Sequence, residues 1–409
     1  MESLLHVPHH RRPSFALLLA SVGALLLLAP ESSRAEPYMA IREGRKCSSC
    51  HVNMGGAGMR TLLANTHMQE ITHYRELFPE LEIATEKFNG QITSLLSIGG
   101  NLRLTDSIVF QDEPDAQGRV PHKVLRGNVD ENVLDFRRAP LYALVTLVPD
   151  YLEAYLDQSF APGGTVTREL FGLVKGLLPW KGYVKGGKFF LDYGLRGADD
   201  TLFSQNNDTN EQFVRGRTGT TFNSSDTGLE LGFQPGPTNF TVQVTNGSSG
   251  DTDVRVTTNL YAMFTDLPVV ENAIAGLSFM RLGSDAGDFY AYGLYAGSNL
   301  GPLEYQAEVD WVHFGPSDSD QRSTGSFLAY GELNYLLLDW INCKAFGEYA
   351  DNDPNANTTQ SAQNRFGFGV EPFIGRFLQT RLFYSIANGP KTRALDNQNR
   401  LVMELQLFF

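Results

Sequence analysis

Cys47, Cys50 and His51 stand as Cys47-Ser48-Ser49-Cys50-His51. At this spacing two thiols can add across the vinyl groups of a haem while the next residue ligates the iron from the proximal side. A bare Cys-x-x-Cys also suits a thioredoxin-like redox pair or half of a zinc site. Neither accounts for His51 directly after the second cysteine, and with 3 cysteines in the chain there is no second pair for zinc. The motif therefore predicts one covalent haem c, with Cys47 and Cys50 as attachment points and His51 on the iron.

Haem iron usually takes a second axial ligand when its work is electron transfer. The candidates nearby are Met54, Met59, His67, Met68 and His73. Gly55-Gly56-Ala57-Gly58 reads as a flexible turn, after which Met59 to Leu77 has a helical pattern that spaces Met59, Leu63 and His67 by four on one face. Met59 and His67 are the leading choices, since Met/His and His/His are both known ligations. Met68 suits core filling equally well, and His73 a solvated helix position.

These residues lie in a short stretch between two very different regions. Residues 1–35 read as a signal peptide: His9 to Arg12 give a positive start, Phe15 to Leu28 an apolar stretch short of a comfortable membrane span, and Ser33-Arg34-Ala35 a small-residue cleavage site. The mature chain is expected to begin near Glu36. Arg11-Arg12 could mark twin-arginine export, but haem is attached to an unfolded exported chain, which favours the general secretory route. Residues 36–88 form the expected haem segment and residues 89–409 a β-barrel. So small a segment removes too little apolar surface from water to hold a haem and a core unaided, so it is expected to plug the barrel mouth and borrow its wall.

The barrel is written in period-2 alternation. Leu401, Met403, Leu405, Leu407 and Phe409 fall on one face, Val402, Glu404, Gln406 and Phe408 on the other. Leu303, Tyr305, Ala307, Val309 and Trp311 oppose Glu304, Gln306, Glu308 and Asp310 in the same way. About sixteen such strands are legible, near 97–110, 133–148, 150–160, 166–178, 181–191, 226–234, 238–246, 255–265, 272–282, 287–298, 302–313, 326–338, 340–350, 364–374, 378–388 and 399–409. The expected fold class is all-β, a transmembrane antiparallel β-barrel of about 16 strands with a short, mainly helical N-terminal plug. Connections alternate between short turns, such as Pro179-Trp180-Lys181 and Pro235-Gly236-Pro237, and longer Asp-, Asn- and Ser-rich loops at 111–131, 192–225, 314–325, 351–363 and 389–398. Short periplasmic turns and long external loops place both termini in the periplasm of a Gram-negative cell, with outer-membrane lipid around the wall.

A formal net charge of -13 leaves no basic footprint for nucleic acid. Inward positions on the later strands are acid-rich (Glu230, Glu304, Glu308, Asp310, Glu332, Glu348, Glu404), with Lys344 and Arg381 among them, whereas the fourth and fifth strands carry Arg168, Lys175, Lys181, Lys185 and Lys188. Opposed walls of this kind orient polar solutes in porins generally. Acidic loop residues such as Asp199, Asp200, Asp318 and Asp353 suit either ferrous-iron capture or plain solvation. Cys343 shares a strand face with Ile341, Ala345 and Tyr349 and reads as a small lipid-facing residue. No acid/base pair, nucleophile site or phosphate-cradling loop is visible.

Taken together, Pro37-Tyr38-Met39-Ala40, the Cys47–His51 motif, a short helical stretch and a barrel ending in Phe409 resemble the fused outer-membrane cytochrome-porins, whose best-known members are iron oxidases. The barrel resembles Gram-negative porins of the phosphate-selective type through Asp135-Phe136-Arg137-Arg138-Ala139, Gly187-Lys188-Phe189-Phe190, Tyr193-Gly194-Leu195-Arg196 and Val244-Thr245-Asn246-Gly247. The resemblance implies an electron carrier, in its iron-oxidising form an iron:cytochrome c oxidoreductase. Its partners would be periplasmic c-type cytochromes or other soluble carriers on one side, and an extracellular metal or small redox donor on the other. The alternative is a solute or ion porin whose haem segment is a plug or redox sensor.

Overall fold

The computed structural model describes residues 36–56, 58–65, 88–111, 128–135, 139–161, 164–196, 222, 224–247, 254–283, 288–315, 324–351, 362–389 and 397–409. The signal peptide, His67, Met68, His73 and the acidic loop positions Asp199, Asp200, Asp318 and Asp353 lie outside the described residues.

Two short helices open the chain, α1 (Pro37–Arg42) and α2 (Cys47–Cys50). The strand segments that follow are β1 (Leu96–Gln111), β2 (Asn128–Asp135), β3 (Ala139–Val148), β4 (Leu152–Ala161), β5 (Gly164–Leu178), β6 (Gly182–Phe190), β7 (Ser225–Phe233), β8 (Thr238–Thr245) and β9 (Val254–Thr265). The second half holds β10 (Asn272–Gly283), β11 (Phe289–Leu300), β12 (Leu303–Phe314), β13 (Thr324–Leu338), β14 (Ile341–Asp351), β15 (Ala362–Gly375), β16 (Leu378–Asn388) and β17 (Asn399–Phe408).

Consecutive segments pair antiparallel, and the sheet closes where β1 meets β17, with Asn101 opposite Phe408 and Phe110 opposite Asn399. On its other side β1 pairs with both β2 and β3, Thr105 opposite Asp135 and Gly100 opposite Leu141. β2 and β3 are thus two lengths of one stave, and the barrel has sixteen. Closure leaves no unpaired edge, which a wall in hydrocarbon requires. The expected strands and short turns are recovered to within a few residues, except that the second stave begins earlier, at Asn128; residues 136–138 within it lie outside the described residues.

The wall is inside-out relative to a soluble protein. On β12, Leu303, Tyr305 and Trp311 are 36%, 43% and 45% exposed, while Glu304, Glu308 and Asp310 are at 0–3%. On β9, Val254, Leu260 and Phe264 point outward and Arg255, Thr257, Asn259 and Tyr261 inward. An apolar exterior of this extent would be a liability in water and is what a lipid-facing wall needs. Cys343 takes the outward parity of Ala345 and Tyr349, as expected. Among the described residues, no helix is long and apolar enough to cross a membrane, so the crossing elements are the strands.

Two stretches occupy the lumen. After β6, Leu191–Arg196, the start of the expected 192–225 external loop, turns in along the wall; residues 197–221 and 223 lie outside the described residues. Asp192 accepts hydrogen bonds from Asn259 and Thr241, both at 2.7 Å, Gly194 N–H donates to Ser278 at 2.8 Å, and Arg196 pairs with Glu332. The N-terminal stretch from Glu36 to Asn65 runs round the interior near the short turns. Its start is pinned by Lys344 and Arg381, at 3.0 and 2.5 Å from the Glu36 carboxylate, and α1 packs on β10, β11 and β12. These contacts set the described part of the expected 36–88 segment against inward-facing wall residues; residues 57 and 66–87 lie outside the described residues.

The two charged walls read from sequence are less segregated than expected. Arg168 and Lys185 do face inward, but beside Asp157, Glu169 and Glu230. Lys181 is exposed in the β5–β6 turn, where both Trp180 and Lys181 take positive φ, and Lys188 has the opposite parity to Lys185. On the acidic side Lys344 and Arg381 sit, as expected, among the carboxylates, here Glu332, Glu371 and Glu404. Inward cations and anions are paired locally because an isolated charge out of water is costly.

Candidate haem site at the short-turn end of the lumen

The Cys47–Cys50 turn is fixed at both ends. Ahead of it Lys46 is extended and its Nζ donates to the carbonyls of Gly236 and Thr238 in the β7–β8 turn, each at 2.7 Å. Behind it His51 N–H donates to the Cys47 carbonyl at 3.0 Å as the backbone returns to extended geometry. One helical turn brings residues three apart onto the same face, so Cys47 and Cys50 are neighbours. Both are free thiols. Cys47 N–H donates to Tyr261 Oη at 3.3 Å, and its side chain packs with Leu195 against Ile41, Tyr261, Met263, Ile274 and Tyr295.

The stretch after the motif doubles back. Val52 N–H donates to Met59 O at 3.0 Å and Thr61 N–H to Cys50 O at 2.9 Å, so that His51 and Arg60 are backbone partners. Gly56 and Gly58, at φ 90° and 67°, make the return; a Cβ on Gly58 would lie 2.6 Å from Tyr155 Oη. Met59 is therefore not on a helix face with Leu63, as the spacing of four suggested. The helical turn begins only at 62–65, where Thr61 caps it by accepting from Ala64 N–H at 3.2 Å. Met59 is buried all the same, and its N–H donates to Tyr155 Oη at 3.0 Å.

The barrel wall supplies the remaining supports. Asn53 donates to Glu169 Oε1 at 2.5 Å and accepts from Lys185 at 3.0 Å, while Lys185 also pairs with Glu230 at 2.7 Å. Met54 Sδ accepts a weak hydrogen bond from Gln234 at 3.6 Å. Sequence reading missed Asn53, Tyr155, Glu169 and Arg60. Only Arg60, a cation in a stretch otherwise rich in Gly and Met, carried a signal that could have been noticed.

A cavity of about 260 Å³ opens beside the motif, and its lining includes His51, Met54, Met59, Arg60 and Lys175. His51 thus meets two of the five proposed axial partners in one space, with apolar walls from Val52, Leu144 and Leu173. His51, Met54 and Met59 are donors of the kind haem iron takes. Neither cysteine lines the cavity; the motif contributes Ser48 and His51 to it. Burial pushes the Cys47 thiol up to about 12, with the Asp192 charge adding to the effect and the Tyr261 hydrogen bond opposing it. Burial raises Cys50 as well, against the pull of the nearby Arg60 guanidinium. Among the described residues no three His, Cys, Asp or Glu side chains cluster as a metal site.

Comparison with known proteins bears on the fold. No family model matches the chain, and no curated protein matches it. Among solved structures, a loop-deletion mutant of OmpT, an outer-membrane protein of Vibrio cholerae, is similar with a TM-score of 0.54 at 15% identity, over 77% of this chain and 99% of that one. The outer-membrane channel DcaP of Acinetobacter baumannii gives 0.53 at 11%, over 77% and 97%. An anion-selective porin from Comamonas acidovorans gives 0.50 at 12%, over 77% and 99%. The chain therefore has the porin-like fold of outer-membrane barrels. None of these structures is described as carrying a cytochrome segment.

Proposed function

We propose that this protein is an outer-membrane barrel that carries one covalent haem c in its lumen and passes electrons between a periplasmic and an external partner. The observation that carries this reading is the convergence of His51, Met54 and Met59 on one cavity beside the Cys47–Cys50 turn. Cys47 and Cys50 would hold the haem by thioether bonds, His51 would ligate its iron, and Met59 or Met54 would serve as second ligand; His67, outside the described residues, stays in the set. Bound haem supplies a one-electron couple. The chain's own part is to fix the segment against the wall through Lys46, Asn53 and Glu36, and to shield the cavity with Val52, Leu144 and Leu173. Periplasmic c-type cytochromes or other soluble carriers fit the inner side, and an external metal ion or small redox donor the outer side.

A second reading is a solute or ion porin whose N-terminal stretch is a plug or redox sensor. It has the stronger support from the comparisons, because two of the structures similar in fold are described as a channel and an anion-selective porin. One pair of measurements on the purified protein separates the two readings. Haem reduction by ferrous iron, followed in the visible spectrum, is expected for the electron carrier. An open, ion-selective conductance indifferent to the redox state, with no haem response to iron, would establish the porin instead.

A further inference from the structure

Apolar side chains that point into the lumen are covered where the chain turns inward: Met280, Leu282 and Phe289, packed with Leu191, Tyr193 and Phe222, are 0% exposed. Phe346 on β14 and Phe383 on β16 are different. Phe346 has the inward parity of Lys344 and Glu348, and Phe383 that of Gln379 and Arg381, yet both rings are only half-buried. Between them runs β15, whose Phe366 and Phe368 point outward and whose inward positions here are Gly367 and Gly369. Gly367 stands opposite Phe346, and Gly369 opposite Phe383. A Cβ on either glycine would come within 2.3 Å of the ring beside it, so the two glycines are what let the rings lie against the wall, 6.4 Å apart and edge to face. Val402, half-buried and opposite Phe383 on β17, extends the patch. An apolar aromatic surface open to the lumen departs from the polar inner face such a wall normally has.

The patch is bordered by paired charges. Toward the long connections Arg365, 5.4 Å from the centre of the Phe346 ring, pairs with Glu348 at 2.8 Å. Toward the short turns Lys344, 6.0 Å from the centre of the Phe383 ring, pairs with Glu36 at 3.0 Å and Glu371 at 3.3 Å. Ser385, half-buried and opposite Gly367, adds a hydroxyl. Such ion pairs offer donors and acceptors side by side rather than one sign of charge. The negative face of an aromatic ring suits weakly positive C–H groups, and hydroxyls both donate and accept. A sugar ring carries both features. An aromatic solute without hydroxyls would leave the border unused, and a simple anion would leave the rings unused.

We propose that Phe346 and Phe383 form a binding platform for a neutral sugar within the lumen. This rests on the solute-porin reading above, in which solutes enter the barrel. The test is calorimetric titration of the purified full-length protein in detergent with maltotriose, beside single-channel conductance in a planar bilayer, on variants first checked for heat-modifiable migration. Wild type is expected to bind maltotriose saturably, and the Phe346→Leu/Phe383→Leu double variant to bind it about tenfold more weakly. Phe346→Tyr should keep most of the affinity, and Phe366→Leu on the outward face should match wild type. Should the double variant not fold, each single leucine variant is expected to show a smaller loss, and undiminished binding in both would overturn the platform. No binding to wild type, or displacement of maltotriose by benzyl alcohol or by acetate, would overturn it too. A barrel that conducts but binds no maltotriose removes the platform and keeps the porin reading. A barrel that binds it through Phe346 and Phe383 but does not conduct keeps the platform and removes the porin reading.

Discussion

The wall of this barrel and the stretch inside it are held by different physics. Each stave of the wall is tied by backbone ladders to its neighbours, in registers of up to a dozen consecutive residue pairs such as β9 with β10. The described part of the stretch from Glu36 to Asn65 has helices of 6 and 4 residues, a further helical turn at 62–65, and one small backbone pairing of its own. It is held by side chains of the wall: Lys344 and Arg381 at its start, the β7–β8 turn at Lys46, Tyr261 at Cys47, Lys185 and Glu169 at Asn53, Tyr155 at Met59. Helices this short are not stable alone in water, so the stretch has its shape only because the lumen gives it one. The wall, in contrast, owes its ladder to nothing in the lumen.

That difference can be broken from either side. The largest effect is expected from Lys185→Met. Lys185 joins the wall to the segment through Glu230 and Asn53, and its removal leaves a buried carboxylate without its cation. Losing one partner of such a pair costs about 3–5 kcal/mol. Urea unfolding in detergent should show a clearly lowered midpoint, and an unchanged one would mean that the cluster is not dry. Next comes Leu229→Arg on the lipid face of β7, expected to cost about 2–4 kcal/mol near the bilayer midplane. It should impair the wall in lipid while leaving the segment's protease resistance in the folded fraction unaltered; selective cleavage of the segment would contradict the separation drawn here.

A smaller effect, about 1–3 kcal/mol, is expected from Asn53→Ala, which removes one of the two donors to Glu169 Oε1, leaving Phe190 N–H, and one partner of Lys185. Here the prediction is local. Limited proteolysis should cut the N-terminal stretch sooner, while the barrel keeps its heat-modifiable migration on gels. A barrel that loses that migration would show that the wall does depend on its contents.

The same contrast explains what could be read from the sequence. A strand wall with one face in lipid repeats a period of two, so Leu303 to Trp311 against Glu304 to Asp310 announces both the element and its orientation. The inward turn at Leu191–Arg196 was illegible because its partners lie far away in sequence: Asp192 meets Thr241 and Asn259, and Tyr193 Oη donates to Asp310 at 3.0 Å. At the candidate site the Cys47–His51 spacing was legible as one that haem attachment would use. Its surroundings were not. The spacing of Met59, Leu63 and His67 suggested one helix, but Gly56 and Gly58 turn the chain back first, and Thr61 is the residue that opens the helical turn. Arg60 gained its place from a backbone pairing with His51 and from the ring of Phe408, 348 residues away by subtraction of the two positions.

The central claim is that a lumen-held segment carries covalent haem in a wall that folds without it. The most direct measurement is covalent haem staining with intact-mass determination, on wild-type protein and on Cys47→Ala/Cys50→Ala, both produced in a host that attaches haem c and both checked for heat-modifiable migration. The account predicts one haem per wild-type chain, none in the double variant, and a folded barrel in each. A wild-type chain of unmodified mass, or a double variant that still stains, would contradict it.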